Sequence, residues 1–152
     1  LEKAYEAGGG IRCLRQIGQT CLKLAQQQKQ SRYYKEYLKK AETCYARLQE
    51  SPLPSFTDSL NLAIVWELEG EYKKSYDMLK TLTISNPDSY MVYMHLSYIC
   101  CRQEEQKRAD LRDFGEAEKF YEKAKALYRF SKEQEDSAME DLENIIEQMT
   151  GH

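Results

Sequence analysis

Apolar residues recur along this chain one helical turn apart, and the same short face recurs with them. Ala41, Tyr45 and Leu48 read small, large, then apolar at i, i+4 and i+7. Ser75, Leu79 and Leu82 repeat that order 34 residues on, and Ala117, Tyr121 and Ala124 repeat it 42 residues beyond those. Residues at these spacings share one side of a helix. A second face repeats ahead of the first: Ile17-Gly18 with Cys21, Leu62-Ala63 with Trp66, and Leu96-Ser97 with Cys100. Its offsets are 45 and 34 residues, with a small residue beside a large one each time. Small side chains let a neighbouring helix approach closely, and larger ones beside them fill the space around the crossing.

Two alternating faces predict three antiparallel helix pairs, spanning 11–28 with 32–50, 55–69 with 71–85, and 88–106 with 113–129. The punctuation agrees. Gly70 takes the left-handed conformation that stops one helix and turns the chain into the next. Asn86-Pro87 and Ser51-Pro52 end the second helix of a pair, because a residue before proline avoids the helical region. The uneven offsets place extra residues near QQQKQSRYYKE and QEEQKRADLRD. Both stretches are polar and helix-compatible, so longer helices are expected to house them.

The spacing of Leu62-Ala63, Trp66, Gly70-Glu71-Tyr72, Ser75, Leu79, Leu82 and Pro87 within 56–89 resembles a tetratricopeptide repeat. DFGEAEKFYEKAKALY at 113–128 is similar to the second helix of such a repeat, and the likeness extends over 11–129. It implies an all-α fold, an α-solenoid of about three helix-turn-helix pairs, whose first helices line a concave groove for an extended or helical peptide. Carried over by alignment, the groove positions in the first pair are Arg12, Arg15, Gln16, Gln19, Leu22 and Lys23. The second pair supplies Leu60, Asn61, Ile64 and Leu68, and the third Met91, Met94, His95, Tyr98 and Arg102. One subgroup of the family clamps the carboxylate at the end of chaperone tails. Arg15, Gln19 and Asn61 resemble the first part of that clamp. Met94 and Tyr98 stand where its final basic pair belongs, with Arg102 one turn further. The implied partner is therefore an acidic or aromatic-containing peptide: amides bond a peptide backbone and arginine grips carboxylates.

Beyond Arg129 the pattern changes. SKEQEDSAMEDLENIIEQM predicts one more helix over 131–149, with Ser131 and Gln134 at capping-box spacing. Met139, Leu142, Ile145, Ile146 and Met149 form its apolar stripe. The acidic opposite face suits the capping helix of a solenoid, and the stripe itself is otherwise a face for a partner. At the front, LEKAYEAGGG (1–10) reads as the tail of an earlier helix and a glycine linker, which predicts a further module upstream in the same chain. A single repeat domain then occupies 11–149.

Composition narrows the class. Charged residues make up 31% and apolar ones 41%, too apolar for a disordered chain. No apolar run approaches the ~20 residues of a membrane span. The net charge of −3 divides into +5 over residues 1–50 and −8 over 51–152. A basic front half attracts acidic peptides or nucleic acid through its field, though no nucleic-acid reading module accompanies it. The five cysteines at 13, 21, 44, 100 and 101 include no Cys-x-x-Cys pair and sit among apolar neighbours. They read as buried free thiols of a cytoplasmic protein rather than zinc ligands.

Candidate catalysis is sparse. Gly8-Gly9-Gly10 lacks the Lys-Ser/Thr and the preceding strand of a phosphate loop. His95 and the Cys100-Cys101 pair point apart on one helix. The expectation is a non-catalytic protein-interaction scaffold with no cofactor and no metal. The alternatives are a regulatory module of a larger signalling enzyme, such as a bacterial Ser/Thr kinase, and a nucleic-acid binder using the basic half.

Overall fold

A computed structural model describes residues 10–129 and 136–151. Among them are seven α-helices: α1 (Gly10–Gln27), α2 (Tyr34–Leu48), α3 (Phe56–Glu69), α4 (Tyr72–Ser85), α5 (Tyr90–Glu105), α6 (Gly115–Tyr128) and α7 (Ser137–Thr150). One 3-10 turn, Ala109–Leu111, precedes α6, and no strand occurs among the described residues. The chain forms two compact units, Leu1–Ser75 and Tyr76–His152, and the division falls inside α4.

In the first unit α2 packs against both α1 and α3. Ala41, Tyr45 and Leu48 are buried on α2. Tyr45 is 0% exposed and lies flat against Gly18 of α1; a Cβ on that glycine would stand 3.0 Å from the ring. The small residue is thus required by the large one facing it. Ser55 caps α3 by accepting from the Asp58 amide at 3.1 Å. Gly70, at φ 81°, ends α3 in the left-handed conformation, and the Glu71 amide reaches back to the Trp66 carbonyl at 2.8 Å. The Ser75 hydroxyl, at the start of α4, then donates to the Ala63 carbonyl at 2.7 Å.

In the second unit α5 packs on α6, and α7 packs on both. Its core gathers Tyr90, Met94, Cys100 and Cys101 of α5 with Ala117, Tyr121 and Ala124 of α6 and Met139, Leu142 and Ile146 of α7. Ile145 and Met149 pack against the same cluster, so the apolar stripe of α7 is used internally. Asp136 fastens that helix. Its carboxylate accepts from the Ala138 amide at 2.9 Å and from the Tyr90 hydroxyl at 2.7 Å, while its own amide donates to the Tyr128 hydroxyl at 2.8 Å. The expected start of this helix at Ser131 and Gln134, and the front segment through Gly9, lie outside the described residues. Gly10, expected to close the linker, is instead the first residue of α1.

The extra residues are housed differently from the expectation of longer helices. Residues 28–33 make consecutive turns, with the Ser31 amide on the Gln28 carbonyl and the Tyr34 amide on the Ser31 carbonyl. Residues 106–114 form a strapped connection. Arg112 donates to the Glu105 and Lys107 carbonyls at 2.8 and 3.0 Å, and Glu104 accepts from the Asp113 amide at 2.8 Å. A helix continued through this polar stretch has no apolar face to bury. The guanidinium instead satisfies carbonyls that the end of α5 leaves open.

Candidate binding surfaces

The groove positions separate into exposed, tied and buried groups. Arg12, Gln16, Gln19 and Lys23 are all exposed on α1. Their spacing of four, three and four residues places them in one stripe along the helix. No acidic residue occurs anywhere in α1. The stripe therefore offers two cations and two amides to solvent with no internal counter-charge on its own helix.

Arg15 points elsewhere. Its Nε and Nη2 donate to the two carboxylate oxygens of Asp58 on α3, at 2.8 and 2.6 Å. Asp58 is 1% exposed. The Arg15 hydrogen bonds hold this carboxyl below its ordinary range against the opposing effect of burial, and the Ser55 hydrogen bond helps. The same bonds raise the guanidinium. A planar fork seated on a buried carboxylate is a structural bond between helices, so Arg15 is engaged before any ligand arrives. No spacing or motif along the chain marks this partner. Asp58 stands at the capping spacing from Ser55 and reads as an exposed first-turn acid, and the two residues lie 43 apart.

Asn61 is half-buried, and its amide donates to the Tyr45 hydroxyl at 3.2 Å. Burial outweighs the lowering effect of Asn61 and pushes the Tyr45 phenol up to about 12, so it stays neutral. Ile64 is half-buried beside it in sequence, while Leu22 and Leu60 are core residues.

In the second unit Met94 is 5% exposed and belongs to the core cluster. It presents no surface to a ligand, because α5 turns that side into the α6 and α7 packing. His95 and Tyr98 are half-buried. The Arg102 guanidinium lies 4.8 Å from the Tyr98 ring centroid and donates to Glu105 at 2.7 Å. Burial opposes its charge, but the hydrogen bonds to Glu105 and Tyr98 outweigh that and raise its pKa. Arg102 is thus partly neutralised by a carboxylate of its own helix.

A hollow of about 430 Å³ in the first unit was not anticipated from sequence. Ile11, Leu14, Arg15, Arg47, Leu53 and Asp58 contribute to its walls. Leu53 is 89% exposed and Ile11 51%. Apart from Arg15 they lie at the start of α1, the end of α2, the link to α3 and its first turn, away from the repeat positions.

The four buried thiols are poor nucleophiles. Burial pushes Cys100 up to about 12 and Cys101 up to about 11, and it raises Cys21 and Cys44 as well. Among the described residues no His, Cys, Asp or Glu cluster is placed to hold a metal ion. No helix there is long and apolar enough to cross a membrane. No protein-family model matches this chain, and no curated protein or solved structure matches it.

Proposed function

We propose that this chain is a non-catalytic protein-interaction module of tetratricopeptide type, a helical solenoid that holds an acidic peptide segment of a partner. The observation that carries the reading is the α1 stripe of Arg12, Gln16, Gln19 and Lys23, exposed together on a helix without acids. Cations at its two ends attract carboxylates from a distance, and the amides between them bond a peptide backbone in either sense. The repeated hairpin contacts support the module type. Ala63 against Ser75 and Ser97 against Ala117 occupy corresponding positions in two successive pairs, and Gly18, at the position of Ala63 and Ser97, meets Tyr45 one turn further along its partner helix.

The test is fluorescence anisotropy against an array of labelled acidic peptides, comparing wild type with Arg12→Glu/Lys23→Glu. The expected affinity is about micromolar. Reversing two contact charges is expected to weaken it by about tenfold or more, since each ~1.4 kcal/mol is tenfold. Both residues are exposed, so the melting temperature stays unchanged. Equal binding by the two proteins removes the stripe as the site. Stronger binding to single-stranded oligonucleotide than to any acidic peptide in low salt favours nucleic acid instead.

A further inference from the structure

Glu42 on α2 and Glu69 at the end of α3 bring their carboxyl groups together inside the first unit. Glu69 Oε1 is buried and receives no hydrogen bond from any donor. Lys39 reaches Glu42 Oε1 at 3.3 Å, but the lysine side chain is 74% exposed, and its charge acts on Glu69 only weakly against burial and Glu42. Trp66, one turn before Glu69, adjoins Glu42 on its other side, and the Lys74 ammonium of α4 sits 6.0 Å from the indole centroid. The remaining charged groups nearby are Lys35 and Glu36 of α2, which share with Glu69 a hollow of about 560 Å³, and Glu71 in the turn after α3.

The donors around this pair do not suffice for two carboxylates. Ionised carboxylate oxygens only accept hydrogen bonds, so two of them in contact repel and leave the buried Oε1 bare. One proton held between them supplies the missing donor: a Glu69 O–H donates to the Glu42 carboxylate, and the pair carries one negative charge that Lys39 answers. We propose that Glu42 and Glu69 share a single proton, and that this proton clamps the end of α3 to α2, tightening the contact below neutrality and loosening it above.

The electrostatics run the same way. Burial first, then the hydrogen bond and charge of Glu42, push Glu69 up to about 7. The hydrogen bond that Glu69 donates is the largest influence lowering Glu42, against the opposing effect of burial. A raised carboxyl stabilises the fold fully below the ordinary carboxylate range and loses that contribution as pH rises through its folded value. The depressed Glu42 contributes above the ordinary range and loses its contribution on acidification. The clamp is therefore strongest from mildly acidic pH up to neutrality and opens as pH rises through about 7.

Trp66 is the sole tryptophan, so its emission reports on the clamp directly. The experiment titrates selectively excited Trp66 fluorescence and the melting temperature of the whole chain from mildly acid to mildly alkaline pH, with a chelator present. Wild type is expected to show one emission transition near neutrality, with melting falling by about 2–6 °C across it. Glu69→Gln is expected to flatten both curves, and Glu42→Gln to move the transition to lower pH, because burial still raises Glu69 while the charge of Glu42 is gone. If Glu69→Gln does not fold, Glu42→Gln carries the comparison alone, since it removes the negative charge that holds the proton on Glu69. A wild type that is flat across the window overturns the proposal. So does a transition that stays at the same pH in both glutamine variants, which assigns the titration to a group other than this pair.

Discussion

The Ser75 hydroxyl, in the first turn of α4, donates to the Ala63 carbonyl of α3 at 2.7 Å, with both residues 0% exposed. The α5–α6 hairpin has the same contact with the roles exchanged: Ser97 on the first helix donates to Ala117 on the second, also at 2.7 Å. Only residues of this size allow the two backbones to come so close, and the hydroxyl gives a carbonyl a second hydrogen bond where water is excluded. Ser75→Ala and Ser97→Ala are expected to cost about 1 kcal/mol each, the worth of one such bond. Ser75→Leu and Ser97→Leu are expected to cost about 3 kcal/mol or more, because overpacking is added to the lost bond. Urea unfolding of the four variants checks the order.

Arg15 and Arg12 stand on the same helix, yet charge reversal separates them. Arg15→Glu sets a carboxylate against the buried Asp58 and is expected to destabilise the chain by on the order of 3 kcal/mol. Arg12→Glu is expected to stay within about 0.5 kcal/mol, as exposed substitutions do. The pair also shapes the acid limb. Asp58 is depressed, so its contribution is present above the ordinary carboxylate range and is lost as pH falls through its folded value. Arg15→Met removes that part of the acid dependence. Melting temperatures of these variants across acidic pH test both statements.

Asp136 holds α7 by three hydrogen bonds, to Ala138, Tyr90 and Tyr128. Asp136→Ala removes the helix cap, worth about 1 kcal/mol, and leaves the Tyr90 hydroxyl without this acceptor. Amide hydrogen exchange is expected to quicken over α7 ahead of α5 and α6, since local opening begins where the fastening is lost. Asp136→Asn keeps acceptor and cap and is expected to exchange nearly as wild type does.

Most element positions were legible because helix periodicity and turn chemistry act locally. The repeated small–large–apolar faces located α2, α4 and α6, and their nine marker residues are all buried. Gly70 announced its turn because only a residue tolerant of positive φ stops a helix there. The connections were less legible. The polar stretch at 106–114 has helix-forming composition, but Arg112 wraps the end of α5 through side-chain bonds that no periodicity encodes.

By itself the sequence determined the helices and the side of each that is buried, since those follow from spacing along one chain. The tertiary structure alone decided which polar residues are spent on the fold and which remain for a partner. Arg15 and Arg12 look alike in sequence, and so do Glu69 and its acidic neighbours. Their difference comes from a group on another helix, Asp58 for one and Glu42 for the other. Such encounters depend on the packing of helices, and the charge and exposure that govern binding arise only once that packing exists.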